Sequence, residues 1–355
     1  MDYDKIKHVY IRVDGNEIIA TGHVMRCLSI AEQIRKAGAE VTFVVADDRP
    51  CSLIRNQGFS VDVLGTVWND FDTETEKICD YVRKHKVSIF LLDSYFVTKE
   101  YLQNLSQYTK IIYIDDLNRF LYPVHTLINY GVFADRGLYE EPYRLAGMDT
   151  RFLIGSRYIP LREEFALQSY KVRETVRKVL ITTGGTDQLN IAGELLNRIA
   201  GNSELMELEY HVIVGCFNQN KEMLYLLADT HSNIYLHENV NNMSDWMRSC
   251  DVAVSAAGTT IYELCACGIP SVCLEIAENQ EGAIIWEETG YMLYAGNAYK
   301  NRQQCMKKCI DALLRYKNHY QERRDKSIRM QSLVDGYGAM RIAQYLISGG
   351  LEDAE

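Results

Sequence analysis

The sequence has little proline and lacks long apolar runs. Only five prolines occur in 355 residues, and no tandem repeat or low-complexity segment is visible. The longest uncharged apolar stretches, such as residues 41–46 and 89–92, are far shorter than the roughly 18 residues that a membrane-spanning helix requires. We therefore expect a soluble, globular protein without a membrane partner.

The sequence also lacks any block of five like charges. It carries 38 Lys and Arg against 48 Asp and Glu, which gives a net charge of −10 at pH 7. A protein that binds nucleic acid or an anionic membrane needs a basic patch that displaces counterions. The charge balance therefore argues against both kinds of partner.

Cysteine is present, but without the spacing of a metal site or a secreted disulfide framework. Ten cysteines are spread along the chain, and no signal peptide pattern precedes them. This distribution favours reduced thiols in the cytoplasm. The pairs Cys265-x-Cys267 and Cys305-x₃-Cys309 lack a second pair or a nearby histidine, so we expect no metal site and no cofactor.

What is present is a repeated alternation of short apolar runs and helical patterns. With 47% hydrophobic and 24% charged residues over 355 positions, the chain has the composition and length of about two globular domains. The predicted strands are 9–13, 41–45, 89–92, 111–114, 179–182, 210–214, 252–255 and 271–274. The predicted helices are 24–37, 78–84, 191–199, 243–248, 261–267 and about 333–348.

This alternation is typical of βαβ units around parallel sheets. It predicts two similar α/β domains over residues 1–165 and 176–335, followed by a C-terminal helix and tail over 336–355. Ligands of such sheets bind outside the carboxyl ends of the strands. The loops that follow strands are therefore the places to look for chemistry.

The loop after the first predicted strand carries candidate catalytic residues. Asp14 ends the strand, and Gly22 and His23 lie where the next helix begins. The positive end of a helix favours a neutral imidazole, which is a usable general base. Arg26, one turn further on, could meet an anionic group. The alternative is that His23 only caps the helix and that Arg26 is a solvated charge.

Two loops in the second half have the character of phosphate-binding loops. Gly184, Gly185 and Thr186 follow a strand and precede a helical pattern, so backbone amides could approach a phosphate. A tight turn uses the same residues. The second loop contributes Gly258, Thr259, Thr260 and Glu263. The segment after the next predicted strand contributes Asn279 and Gln280.

The second of these loops carries the stronger signal. Thr259 and Thr260 offer hydroxyls and amides at a helix start, where they could bind a pyrophosphate. Glu263 lies on the same helical face and could accept hydrogen bonds from a ribose diol. Asn279 and Gln280 could read a sugar or a phosphate. The alternative for Glu263 alone is a solvated carboxylate.

Taken in order, these motifs resemble the UDP-sugar hydrolases of pseudaminic acid biosynthesis, which act on UDP-2,4-diacetamido-2,4,6-trideoxy-β-L-altrose. The similarity spans roughly residues 9–290. It rests on Asp14 with Thr21-Gly22-His23-x-x-Arg26-Cys27-Leu28, on Asp93-Ser94-Tyr95, Asp115-Asp116, Gly184-Gly185-Thr186-Asp187, Ser255-Ala-Ala-Gly258-Thr259-Thr260-x-x-Glu263-Leu264 and Asn279-Gln280, and on the segment 151–165.

The resemblance implies a GT-B fold, with two Rossmann-like, doubly wound domains facing a cleft. It further implies that UDP binds to the C-terminal domain, that no metal is needed and that water is the acceptor. His23 matches the catalytic histidine of that family, which activates the water. The loop 14–20 departs from the family pattern, and this leaves the exact sugar open.

On this basis we expect His23 to take a proton from a water that attacks the anomeric carbon. Asp14 would orient His23 or bind a sugar hydroxyl, or it only ends the strand. Asp93 and Tyr95 line the sugar pocket or merely fill loops. The alternatives are a glycosyltransferase, a UDP-sugar 2-epimerase that would use Asp93, Asp115 and Asp116, and a non-catalytic UDP-sugar sensor. The sequence does not predict an oligomeric state.

Overall fold

A computed structural model of the chain describes residues 7–19, 21–166, 169–215 and 217–350, and of Asn279 only the backbone. The chain divides into two compact units. The first comprises Met1–Glu163 and Gly336–Glu355, and the second comprises Glu164–Asp335. No described helix is both long and apolar enough to cross a membrane.

The first unit is built on a parallel sheet of seven strands in the order β3-β2-β1-β4-β5-β6-β7. Its strands are β1 (His8–Val13), β2 (Glu40–Val45), β3 (Ser60–Val63), β4 (Ile89–Asp93), β5 (Lys110–Ile114), β6 (Thr126–Asn129) and β7 (Arg151–Ile154). Its first five helices are α1 (Gly22–Lys36), α2 (Cys51–Asn56), α3 (Phe71–His85), α4 (Lys99–Leu105) and α5 (Arg136–Leu145).

The second unit repeats this plan with six parallel strands in the order β10-β9-β8-β11-β12-β13. Its strands are β8 (Lys178–Thr182), β9 (Glu209–Ile213), β10 (Ile234–His237), β11 (Val252–Ala256), β12 (Ser271–Glu275) and β13 (Leu293–Asn297). Its helices are α6 (Ile191–Ala200), α7 (Lys221–Thr230), α8 (Met243–Ser249), α9 (Thr260–Cys267), α10 (Ile285–Glu288), α11 (Arg302–Asn318) and α12 (Tyr320–Leu333).

Apolar side chains on both faces of each sheet explain why these strands are buried. β1, β4 and β11 are almost continuous runs of buried residues, as expected for parallel strands covered by helices on both sides. The order of strands reverses between β1 and β4 in the first sheet and between β8 and β11 in the second. Ligands of doubly wound sheets bind at such a reversal.

The last helix, α13 (Gly338–Ile347), belongs to the first unit. The sequence analysis set residues 336–355 apart as a separate helix and tail. In the structure α13 packs on α1, and the hydroxyl groups of Tyr345 and Thr126 lie 2.7 Å apart. The chain thus returns to its N-terminal unit after completing the second one.

Candidate functional site

The reversal of strand order in the first unit brings His23 and Asp93 together. β1 and β4 are neighbours, with Val13 in register with Asp93, and α1 begins at Gly22 shortly after β1. His23 in the first turn of α1 therefore lies beside the carboxyl end of β4. Its Nδ1 is 2.7 Å from Oδ1 of Asp93, and both residues are buried.

The charge of Asp93 fixes the role of each imidazole nitrogen. Burial alone would raise the pKa of this carboxyl, but attraction to Arg26 and His23 outweighs burial and holds the pKa well below its usual range. An ionised carboxylate only accepts hydrogen bonds, so Nδ1 of His23 carries the proton. Nε2 has no hydrogen-bond partner among the described residues and is not fully buried. Nε2 of the neutral ring can therefore accept a proton.

Tyr95 and Arg26 complete the surroundings of this pair. The rings of Tyr95 and His23 meet edge to face, with centroids 4.4 Å apart. Burial, followed by the charge of Asp116, raises the pKa of Tyr95 to about 12, so its hydroxyl stays protonated at neutral pH. Arg26 donates from Nε to Oδ2 of Asp93 at 2.6 Å. Asp93, for which the sequence offered a sugar contact or loop filling, is the partner of both His23 and Arg26.

The structure does not place Asp14 against His23. Oδ2 of Asp14 accepts from Nη1 of Arg12 at 2.6 Å, and Oδ1 accepts from the amide of Ala46 at 2.9 Å. Burial raises the pKa of Asp14 despite the opposing charge of Arg12. The residue that contacts His23 is therefore Asp93, which lies one strand away in the sheet, and not Asp14.

Arg12 and Glu74 are charged residues of this region that the sequence analysis missed. Arg12 lies in β1 and donates from Nε and Nη2 to the two carboxylate oxygens of Glu74, at 2.9 and 2.8 Å. Both side chains are fully buried. A charge inside an otherwise apolar strand requires a buried partner, and this was the signal available in the sequence.

Asp115 is occupied by its own loop. It accepts hydrogen bonds from the amides of Leu117 and Asn118, each at 3.0 Å, and from the hydroxyl of Tyr139 at 3.1 Å. The side chain is fully buried. Its contacts are those of a residue that shapes a turn, whereas the 2-epimerase interpretation requires a carboxylate at the sugar.

In the second unit, the loop after β8 is exposed, and the helix that follows it starts at the residue that the sequence predicted. Gly184, Gly185 and Thr186 are exposed, and Gly184 has φ of 81°. α6 begins only at Ile191, and the carboxylate of Asp187 accepts from the amides of its first turn at 2.8 and 3.1 Å. α6 thus starts several residues after Gly185 and Thr186, and Asp187 already occupies the amides of its first turn.

The helix after β11 has a more open start. Its N-cap Thr259 makes no side-chain capping bond, and the amides of Gly258, Thr259 and Thr260 donate to no other backbone group of a described residue. β11 neighbours β8, with Ser255 in register with Thr182. This loop and the glycine loop therefore emerge side by side at the reversal of strand order.

Glu263, Gln280 and Asn279 lie around the start of α9. Glu263 is half-buried in the first turn of the helix. Gln280 accepts from the amide of Ile276 at 2.9 Å through Oε1, and its Nε2 is 3.7 Å from the position a Cβ would take at Gly258. The backbone of Asn279 lies in the turn Glu278–Gln280, and its side chain is outside what the structure describes.

Metal ligands do not gather at either site. Within the described ranges, no group of three or more His, Cys, Asp or Glu side chains could hold a metal ion. The nine described cysteines are all free and buried. In the described part of the chain, neither reversal of strand order thus carries a cluster of metal-binding side chains.

Solved structures define the class of this fold. MurG of Acinetobacter baumannii superposes with a TM-score of 0.69 at 12% sequence identity, covering 96% of this chain and 99% of that one. The glycosyltransferase of kitacinnamycin gives a TM-score of 0.70 at 13% identity, covering 97% and 99%. The chain has the GT-B fold, as the sequence predicted.

Several curated proteins are similar in sequence to most of this chain. A Campylobacter jejuni protein named UDP-2,4-diacetamido-2,4,6-trideoxy-β-L-altropyranose hydrolase is 23% identical over 285 residues, covering 78% of this chain and 95% of that protein. A Helicobacter pylori protein, named as this hydrolase and as pseudaminic acid cytidylyltransferase, is 27% identical over 282 residues and 78% of this chain. The resemblance found in the sequence is confirmed by these names.

A third relative matches almost end to end. The spore coat polysaccharide biosynthesis protein SpsG of Bacillus subtilis is 22% identical over 344 residues, covering 96% of this chain and 97% of that protein. The chain spans only about half the length of two of its relatives: 46% of the Helicobacter protein described above and 55% of a Methanocaldococcus jannaschii protein. No protein-family model matches the chain.

Proposed function

We propose that the chain is a hydrolase that cleaves a UDP-linked 2,4-diacetamido-2,4,6-trideoxy sugar to UDP and the free sugar, in pseudaminic acid biosynthesis. The observation that carries this proposal is the buried His23–Asp93 pair at the start of α1, with a bond of 2.7 Å that leaves Nε2 available. The names of two relatives support the substrate class.

The reaction is a displacement at the anomeric carbon. Nε2 of His23 takes a proton from water, the water oxygen forms a bond to the anomeric carbon, and the bond from that carbon to the oxygen of UDP breaks. Asp93 stabilises the imidazolium that results, as a carboxylate does in other base pairs of this type. General-base assistance is worth about 10²–10⁴-fold in rate.

The second unit binds UDP in this proposal. The amides of Gly258, Thr259 and Thr260, which donate to no backbone group of a described residue, lie at a helix start, where a diphosphate is stabilised. Glu263 accepts hydrogen bonds from the ribose hydroxyls. Because helix-end amides meet the charge of the leaving group, the proposed reaction uses no metal ion.

Isotope labelling during turnover tests the reaction. We would incubate the protein with a panel of UDP-2,4-diacetamido sugars in H₂¹⁸O and follow UDP release by NMR. We expect ¹⁸O in the free sugar and none in UDP, because water attacks carbon. Label in UDP would show attack on phosphorus and would contradict the mechanism.

The same assay separates the alternative functions. Release of UDP only after a sugar or lipid acceptor is added identifies a glycosyltransferase. Conversion to the 2-epimer identifies an epimerase, and binding without any conversion identifies a sensor. Each of these outcomes contradicts the hydrolase.

A further inference from the structure

All three nitrogens of the Arg26 guanidinium are occupied by the protein itself. Nε and Nη2 donate to the two carboxylate oxygens of Asp93, at 2.6 and 2.5 Å. Nη1 donates to Oδ2 of Asp116 at 2.8 Å and to the hydroxyl of Tyr130. The side chain is 10% exposed. Each nitrogen of the guanidinium is thus directed at a protein group.

These contacts connect α1 to the ends of three adjacent strands. Asp93 ends β4, while Asp116 and Tyr130 follow β5 and β6, which lie next to β4 in that order. The Tyr130 ring lies 5.3 Å from the guanidinium carbon. A guanidinium presents its donors in a rigid planar fork, so it holds all three partners in one geometry.

We propose that Arg26 is a positioning residue of the hydrolytic site, which holds Asp93 so that His23 remains a correctly oriented neutral base, and that Asp116 and Tyr130 hold Arg26. The proposal rests on the proposed function. It differs from the expectation that Arg26 meets an anionic group of the substrate. The fork would bind Asp93 in the resting enzyme and throughout turnover.

The physical reason is competition for one carboxylate. A carboxylate that faces only an imidazole stabilises the imidazolium, so the ring becomes a neutral base only at a higher pH. With Arg26 bound to both oxygens, the charge of Asp93 is already matched. Nη2 of Arg26 also lies 3.0 Å from Nδ1 of His23, where its charge opposes a charged ring. The orientation of the ring is retained, because Oδ1 of Asp93 still accepts from Nδ1.

Other titratable groups face this arrangement. Cys27 on α1 donates from Sγ to Oδ2 of Asp93 at 3.4 Å. Tyr95 lies against the His23 ring, and Tyr113 on β5 interacts with Asp93 at longer range. Burial and then Asp93 raise the pKa of the Cys27 thiol well above its usual value. Arg26 is thus the cation that matches the charge of Asp93 within the described contacts of this carboxylate.

The kinetic test uses Arg26→Gln and Arg26→Lys. For Arg26→Gln we expect kcat at neutral pH to fall about 10- to 100-fold with little change in KM, and the acidic limb of the pH profile to move up by about one pH unit. Arg26→Lys keeps the charge without the fork, so its acidic limb should move less. A large rise in KM with an unmoved pH profile would instead assign Arg26 to the substrate and overturn the proposal.

A smaller substitution tests the same contacts with less risk that the protein misfolds. Tyr130→Phe removes only the hydroxyl that accepts from Arg26, and we expect kcat to fall about two- to tenfold without a change in KM, the effect of one hydrogen bond. The matched control for Arg26→Gln is Arg83→Gln, which breaks an exposed ion pair with Asp80 on α3. Equal kcat in Tyr130→Phe and wild type would remove Tyr130 from the positioning set.

A measurement without substrate separates this proposal from the proposed function. The ring carbons of His23 are followed by NMR during a pH titration of the full chain, in wild type and Arg26→Gln. We expect the titration midpoint of His23 to move to higher pH in the variant. The same midpoint in both proteins would refute the proposed role of Arg26, even if the chain hydrolyses UDP-sugars.

Discussion

At the scale of single residues, the direction of the His23 ring determines what the first unit can do. The ring is buried, yet Nε2 remains without a partner among the described residues while Nδ1 is bonded to Asp93. Nε2 is not fully buried, whereas the carboxylate of Asp93 holds Nδ1 as the protonated nitrogen. A nitrogen left open beside a fixed carboxylate is therefore the group from which a base would act.

The first prediction removes this nitrogen. In His23→Asn we expect turnover to fall by about 10²-fold or more, the loss typical of a missing general base. UDP affinity should stay nearly unchanged, because the proposed UDP site belongs to the second unit. Steady-state kinetics and calorimetric titration of UDP measure the two effects. His85→Asn, at the exposed end of α3, is the control, and wild-type turnover in His23→Asn would exclude His23 as the base.

The residues of this site could be found from the sequence only in part. Gly22 and His23 were placed at the start of α1 because a helical pattern follows β1, and the structure has that start. The sequence analysis offered Asp14, and not Asp93, as the residue that orients His23, because both carboxylates lie at strand ends on the same edge of one sheet and the pattern does not tell them apart. In the structure, the side chain of Asp14 is bound by Arg12, which also binds Glu74. The carboxylate that contacts His23 is that of Asp93.

At the scale of elements, several strands and helices were predicted from their apolar patterns, and others were missed. The structure confirms β1, β4, β8 and β11 within a residue or two of the predicted ends. β3 has no fully buried residue, so the apolar pattern of a buried strand is missing. α12 lacks a continuous apolar stripe, and among its buried residues is Arg323, whose Nη2 donates to the carbonyl of Glu174 at 2.6 Å. Such a pairing is not visible in the local sequence.

The second prediction concerns α9. If Glu263 accepts from both ribose hydroxyls, Glu263→Ala should weaken UDP binding by roughly 1.5–3 kcal/mol, the value of hydrogen bonds to a charged group. Turnover at saturating substrate should fall much less, because ribose contacts are equal in the ground and transition states. Calorimetric titration of UDP measures the loss, with Glu278→Ala in the neighbouring turn as the control. Equal affinity in folded Glu263→Ala would remove α9 from the UDP site.

The third prediction concerns the start of α13. A Cβ at Gly338 would lie 2.2 Å from the carbonyl oxygen of Ile159 and 2.5 Å from its amide nitrogen. Backbone atoms cannot yield as a flexible side chain can, so Gly338→Ala should destabilise the first unit by about 1–3 kcal/mol, as overpacking does. Hydrogen exchange of α1 and α13 reports the loss. Gly201→Ala, where the nearest atom is 3.6 Å away, should have no such effect, and unchanged protection in Gly338→Ala would refute this packing.

At the scale of the whole molecule, the two units have the same order of strands but carry different functional groups. Each sheet reverses its strand order at one point, and each candidate site lies at that point. The first unit presents a histidine and its carboxylate, whereas the second presents glycines, hydroxyls and backbone amides at a helix start. This division agrees with the proposal that one unit activates water while the other binds the nucleotide.

The last prediction follows from this division and concerns metal ions. A diphosphate that leaves must have its charge met, either by a divalent cation or by amides at a helix start. The amides at 258–260 donate to no other backbone group of a described residue, so they are the groups that would meet this charge. We therefore expect turnover to be unchanged by EDTA. Replacing Thr260 with proline, which removes one amide, should slow turnover, and adding magnesium to this variant should not restore it. Loss of wild-type activity on chelation, followed by recovery with magnesium or manganese, would show that a cation meets this charge and would contradict the metal-independent mechanism.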